Sequence, residues 1–225
     1  MCESNGAWKR HNDPRHRSHR PRGASRRLQV GHSATTWSQW SGTSKPQAGA
    51  CHPESPCAFA DYEDDSALKR ALAGIDDLVL ISSDGDASAV MRHHANAIEA
   101  AAATSIRHIT FTSIVDTDEL SPFYFSPVYR DAEHRLAGCG EPSTILRCGL
   151  YSDFILQHWL APCQSPGELV LPTGHGRVAP ISRDDVAAAV AAVAAKPDKP
   201  RIIQRITGHR ALAFDEIAAS YGKRS

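Results

Sequence analysis

The chain has 225 residues, 41% of them apolar, and its 25 basic and 25 acidic side chains cancel to a formal charge of zero. That length supports one domain with its own core. It has no run of 18 apolar residues, no apolar leader, no CxxC pair and no zinc-type spacing among its six cysteines, so no membrane span, no signal peptide, no metal site and a cytoplasmic location with reduced thiols are expected.

The zero charge conceals a split. Residues 1–60 hold 9 basic and 3 acidic side chains, and residues 61–225 hold 16 and 22. The basic excess is concentrated in RHRSHRPRGASRR, Arg15–Arg27. Residues 1–57 show neither helical nor strand periodicity, and Trp37 and Trp40 stand among Ser, Thr and Gly. A segment of this kind is expected to be largely disordered.

From Ala58 the texture changes. ADYEDDSALKRALAGIDDLVLISS reads as a turn, a helix and a strand. Asp64 or Asp65 caps the helix, Leu68, Ala71 and Leu72 share a face, and Gly74 ends it. The apolar run within residues 76–82 is a strand buried on both faces. A helix follows, with Val90, Met91, His94, Ile98 and Ala101 at helical spacing, and then a buried strand over 107–113. Strand, helix, strand is the signature of a parallel sheet. The alternation continues with a helix from Ser126 stopped by Gly138 or Gly140, a strand STILRC, a helix YSDFILQHWL, and short strands GELVLP and GRVAPIS. Ser182 with Asp185 caps a helix to Lys196. RIIQRITG and AFDEIAASY supply a last strand and a last helix. The expected fold is α/β, an incomplete doubly wound Rossmann-like parallel sheet.

Ligands of open parallel sheets sit outside the C-terminal strand ends. Those ends are 81–85, 111–116 and 147–152, so Ser82, Ser83, Ser113, Arg147 and Tyr151 are expected to converge on one edge. Strand-end serines also cap ordinary turns. His94, on an apolar helix face beside His93, reads as a hydrogen-bonded core histidine. Arg183 and Asp184 open a helix and could serve its dipole alone. Asp61 could accept from an adenine amino group or cap a turn. One absence is informative. Short-chain dehydrogenases place a Lys four residues after a Tyr, where the ammonium lowers the phenol pKa. Here Tyr62, Tyr124, Tyr129, Tyr151 and Tyr221 are followed at that spacing by Ser66, Val128, Glu133, Ile155 and Ser225.

From Ala60 onward the chain resembles the NmrA-like branch of the atypical short-chain dehydrogenases, in particular the NAD(P)H:quinone oxidoreductase type 2 group. The resemblance rests on ADYEDDSALKRALAGIDDLVLISS, HHANAIEAA, HITFTSI, LRCGLYSDFIL, ISRDDVAAAVAAV and ITGHRALAFDEIAA. It implies an oxidoreductase using NADP or NAD, with Ser82, Ser83 and Ser113 on the cofactor edge. Arg147, Gly149 and Tyr151 would border the nicotinamide and substrate cleft, with Arg183 nearby. The family usually lacks the Tyr/Lys pair, so hydride would pass directly to a quinone-like acceptor that the protein positions.

The sequence departs from that family twice. The family opens on a strand, a GxxGxxG turn and a helix whose N-terminus holds the pyrophosphate, and residues 1–59 supply no such turn. It also runs on beyond FDEIAASY. The first 60 residues match the missing βαβ unit in length. With GC-rich codons, NDPRHRSHRPRG read one base later gives TIPVTGATGHVG. GHSATTWSQWSGTSK shifted by two bases gives ALGDDVVAVVRDLE, a second strand ending in the arginine that NADP-preferring relatives place near the 2′-phosphate. Residues 1–58 are therefore expected to be an out-of-frame replacement of the cofactor-binding unit, and 59–225 a partial NAD(P)-binding domain. Its sheet would start at the family's fourth strand, with an open apolar edge. Dinucleotide binding would be impaired. The alternatives are a non-catalytic dinucleotide-sensing regulator and a basic-tailed nucleic-acid-binding protein, nucleic acid being the less expected partner.

Overall fold

A computed structural model describes residues 7–13, 25–31, 57–83, 85–164, 170–171, 173–196, 198–199 and 201–222. In chain order the elements are β1 (Ala7–Asp13), β2 (Ser25–Gly31), β3 (Cys57–Phe59), α1 (Asp65–Leu72), β4 (Asp77–Leu80), α2 (Ala87–Ala103), β5 (His108–Ile114), α3 (Ser126–Gly138), β6 (Ser143–Cys148), α4 (Ser152–Phe154), β7 (Arg177–Val178), α5 (Arg183–Ala195), β8 (Ile202–Ile206), β9 (Leu212–Ala213) and α6 (Phe214–Gly222). The main sheet has the order β3-β1-β2-β4-β5-β6-β8. Its run β2-β4-β5-β6-β8 is parallel throughout.

Side-chain alternation along the strands builds a core on each face of the sheet. Leu78, Leu80, Ile109, Phe111 and Ile145 pack with Leu68 and Leu72 of α1, Ile98 of α2 and Leu136 of α3. Val79, Leu146 and Cys148 face the other way, onto Val186, Val190 and Val193 of α5. Helices on both faces make the fold α/β and doubly wound, as the near-continuous apolar strands require. Fully burying one such side chain is worth about 1.5–3 kcal/mol. A third cluster joins Ile155 and Leu160 to Ile217 of α6.

The helix boundaries follow local chemistry. The Asp64 carboxylate accepts from the Ala67 N–H at 2.9 Å and starts α1. Gly74, at φ 73°, lies just past its end. Asp86 caps α2 in the same way. The Ser182 hydroxyl accepts from the Asp185 N–H at 3.0 Å and donates to the Asp185 carboxylate at 2.8 Å. Asp61 accepts from the Glu63 N–H at 2.9 Å, so among the described residues its carboxylate caps a turn.

Several expectations need adjustment. The helix 151–160 is only three residues of α-helix, and then runs as a π-helix over Ile155–Leu160 and a 3-10 turn over Ala161–Gln164. Pro162 lacks the N–H that a continuing α-helix would use. The strand expected at 167–172 falls mostly outside the described residues, and Val170 and Leu171 belong to no regular element. The strand expected at 176–182 shortens to β7, paired antiparallel with β9. Within the segment expected to be disordered, β1 and β2 pair antiparallel, Ala7 opposite Gly31 through Asp13 opposite Ser25. β2 then runs parallel to β4, Arg27 beside Asp77 through Val30 beside Leu80. The β4 edge, expected to be open, thus carries a strand. A short strand takes its conformation from the strand beside it, and an unpaired edge beside an apolar sheet is costly. Most of the Arg15–Arg27 run, and CHPESPC up to its last residue, lie outside the described residues.

Candidate functional site

The C-terminal ends of β4, β5, β6 and β8 share one edge, because all four strands are parallel. The residues expected there form three groups with different partners.

The first group follows β4. The Ser83 hydroxyl lies 2.8 Å from His93 Nδ1, and the Ser82 hydroxyl lies 3.0 Å from His94 Nε2. Both histidines come from α2 and are buried. His93 stacks on Tyr62, with ring centroids 5.0 Å apart, and its Nε2 is 3.3 Å from Glu63. His94 meets the edge of Phe111, and burial lowers its pKa to about 4. It is therefore neutral at physiological pH, as expected for a core histidine. Burial lowers the His93 pKa as well. The two serines thus anchor α2 to the strand end. Ser83 is buried and Ser82 is half-buried.

The second group centres on Glu133 of α3. Its carboxylate accepts from the Ser113 hydroxyl at 2.6 Å and from Arg147 Nε at 2.9 Å, and a second Arg147 nitrogen reaches its other oxygen. Glu133 is buried, and this hydrogen-bonded partner raises the Arg147 pKa above its ordinary value. Glu133 occupies the position four residues after Tyr129 at which a Lys would stand. Sequence reasoning touched the position without giving it a role. Its place beside Ala132, on the buried side of α3 with Val128 and Leu136, is the signal that could have found it.

The third group lies past β6. The Gly149 N–H donates to the Ile206 carbonyl at 2.8 Å, and a Cβ on Gly149 would sit 3.2 Å from the Ala179 carbonyl oxygen. Gly208, which nothing in the sequence singles out, is tighter, since a Cβ there would be 2.1 Å from the Pro180 carbonyl oxygen. Ala179–Pro180 thus passes close to both glycines and leads into Ile181, which bridges to Tyr151. The Arg183 guanidinium lies 5.0 Å from the centre of the Tyr151 ring and 3.1 Å from the Asp153 carboxylate. Ring and cation hold one another at the mouth of the edge.

A half-buried aromatic ring with its arginine lies past the end of β6, and the Ser113 and Arg147 donors at the strand ends are taken up by Glu133. The sequence has no GxxGxxG or GxGxxG turn, and β1 and β2 are joined as antiparallel neighbours. The residues between those two strands, 14–24, lie outside the described residues. Among the described residues, no three or more His, Cys, Asp or Glu side chains gather where they could hold a metal ion, and no helix is long and apolar enough to cross a membrane.

The family model described as NAD(P)H-binding matches residues 50–197. Quinone oxidoreductase 2 of Escherichia coli (strain K12) is 33% identical over 166 residues, which cover 74% of this chain and 57% of that protein. The crystal structure of the Escherichia coli NADPH-dependent quinone oxidoreductase complexed with NADPH matches with a TM-score of 0.67 at 30% identity, over 74% of this chain and 58% of that one. The Citrobacter sp. triphenylmethane reductase complexed with NADP(H) matches with a TM-score of 0.66 at 28% identity, over 74% and 58%. An NmrA-like family domain-containing oxidoreductase of Aspergillus flavus is 37% identical over 57 residues, 24% of this chain and 19% of that protein. The chain therefore spans somewhat more than half the length of the quinone oxidoreductase and the triphenylmethane reductase that it matches.

Proposed function

We propose that this chain, a member of the NAD(P)H-binding family, falls in its NmrA-like branch and derives from an NAD(P)H-dependent reductase of quinone-like acceptors whose hold on the dinucleotide is weakened. The observation that carries the reading is the shared edge of β5 and β6, where Ser113 and Arg147 are tied to Glu133 and Tyr151 stacks against Arg183. The likeness to quinone oxidoreductase 2 supports the same lineage.

When bound, the nicotinamide supplies hydride. The residues proposed to meet it are Ser82, Ser83, Ser113, Arg147, Gly149, Tyr151 and Arg183. Tyr151 offers its ring to a planar group, and Arg183 keeps that ring in place. Arg147, held by Glu133, keeps a guanidinium at the strand end. The Ser113 hydrogen is committed to Glu133, so its oxygen is left to accept from a donor such as an amide N–H. Gly149 allows the Ala179–Ile181 segment to approach and so fixes where Tyr151 sits.

Residues 1–58 are proposed to be an out-of-frame replacement of the first βαβ unit, and 59–225 a partial domain. A glycine turn at a helix N-terminus gives a diphosphate backbone N–H donors and a favourable dipole, and this sequence has none. Fluorescence titration with NADPH tests the reading. The chain as given should bind far more weakly than micromolar. A frame-corrected chain carrying TIPVTGATGHVG should bind at micromolar concentration and oxidise NADPH in the presence of a quinone. Micromolar binding by the unaltered chain, or coding DNA with no glycine turn in the +1 frame, overturns it.

A further inference from the structure

Three side chains from separate elements stand in line beyond β4. Ser83 follows the strand, and its hydroxyl lies 2.8 Å from His93 Nδ1 on α2. The other nitrogen of that ring, Nε2, lies 3.3 Å from the carboxylate of Glu63, in the turn before α1. A carboxylate can only accept, so Nε2 carries the ring hydrogen. Nδ1 is then the acceptor for the Ser83 hydroxyl. The ring is held flat against Tyr62, and Glu63 is held by Arg92 at 3.2 Å. The adjacent Ser82–His94 pair, 3.0 Å apart, has no carboxylate bonded to it among the described residues. Backbone geometry fits the same reading. Gly85, two residues after Ser83, sits at φ 143°, in the region that favours glycine, and turns the chain from the strand end into α2. Ser-x-Gly between a parallel strand and a helix is the second half of the G-x-S-x-G turn that presents a nucleophilic serine. Ile81 stands where its first glycine would be.

We propose that Ser83, His93 and Glu63 act as nucleophile, base and positioning acid in the hydrolysis of small acyl esters, an activity that needs no dinucleotide and goes beyond the reductase reading. Nucleophile and base within hydrogen-bond reach, with the base oriented by a third group, is the signature of covalent catalysis by serine. Ser83 Oγ bonds to the acyl carbon and its proton passes to His93 Nδ1. The bond from that carbon to the alcohol oxygen breaks, and the oxygen leaves with the proton from His93. Water then attacks the acyl-serine, gives a proton to His93 and releases the acid, and Ser83 recovers its hydrogen. Burial lowers the His93 pKa, and the charges that reach the ring are Glu63 and Asp61, which raise it, and Arg92, which lowers it. The ring is therefore neutral at physiological pH and able to take a proton. A hydrogen bond that only anchored α2 would need no acid on the far side of the ring. Ser83 is 6% exposed and His93 5%, so the substrate class is a short acyl group, such as acetyl, on a leaving group that stays outside.

The test uses the full chain without dinucleotide and p-nitrophenyl acetate as the probe. Release of p-nitrophenolate should show a burst, and peptide mapping after acid quenching should find an acetyl group on Ser83. Ser83→Ala should remove both. His93→Gln should slow acylation about a hundredfold and Glu63→Gln about tenfold. The rate should rise with pH as His93 loses its proton, and Glu63→Gln should move that rise to lower pH, because the carboxylate favours the charged ring. A merely structural role for Glu63 would leave the profile in place. Acetyl groups found only on other residues, or acetylation of Ser83 at the same rate in His93→Gln, overturns the proposal. Peptide mapping reads the unaltered chain, so an unacetylated Ser83 overturns it even where a variant fails to fold.

Discussion

Arg147 and Ser113 meet the same carboxylate, that of Glu133, at 2.9 and 2.6 Å, so the ends of two neighbouring strands are tied to one helix through a single buried acid. Removing either partner of such a pair strands the other in a poor dielectric. Glu133→Gln is expected to lower stability by about 2–3 kcal/mol. Arg147→Met/Glu133→Gln should lose less than the sum of the single changes. Urea unfolding of the three variants measures the coupling, and strictly additive losses would contradict it.

A second buried pair lies at the opposite end of the sheet. Lys199 Nζ is 2.9 Å from Asp77, and both side chains are almost wholly buried. Lys199→Met deprives that carboxylate of its cation and is expected to cost about 3–5 kcal/mol. Lys199→Met/Asp77→Asn should recover part of the loss. A denaturation midpoint unchanged by Lys199→Met would show that the pair contributes nothing.

Stability should fall on acidification below neutrality. His94 has a folded pKa of about 4 because burial disfavours its charge, against an ordinary value of 6.5. His108 is lowered to about 4, first by burial and then by Lys199. Between those values the unfolded chain takes up protons that the folded chain does not, so stability drops as pH falls from about 6.5 and levels off near 4. The loss from His94 is on the order of 3 kcal/mol. Denaturation midpoints measured across that range should show the slope, and His94→Leu should flatten it. An unchanged slope in that variant would assign the effect elsewhere.

Two glycines should respond to alanine with opposite signs. At Gly208 the new methyl would lie 2.1 Å from a backbone oxygen that no rotamer change can move, so Gly208→Ala is expected to cost about 1–3 kcal/mol and to displace Ala179–Ile181. Gly138 ends α3, and a methyl group there would meet nothing within 4 Å, so Gly138→Ala should add about 0.4–1 kcal/mol by restricting the unfolded chain. Thermal melts of the two variants shifting in the same direction would refute this account.

Legibility from sequence varied along the chain for physical reasons. α1, β4, α2, β5, α3, β6 and α5 were readable because their apolar residues repeat at the period of the element and Asp64, Gly74 and Ser182 punctuate the helices α1 and α5. The segment 151–160 was not, because α- and π-helix share one apolar pattern and differ only in which carbonyl each N–H finds. β1 and β2 were not, because a short polar strand takes its conformation from the strand beside it. That Ser83, Ser113 and Arg147 share one edge was legible from topology alone, since parallel strands put all their C-terminal ends together.

The sequence by itself determined the α/β alternation, the absence of a glycine turn and the absence of a Tyr/Lys pair, because these depend on residue identity at short spacings. Only the tertiary structure decided that Ser82 and Ser83 face histidines, that Glu133 joins Ser113 to Arg147, and that Gly208 lies against Pro180. Those contacts join residues 10 or more positions apart, and chain spacing carries no information about which of many buried groups will find one another.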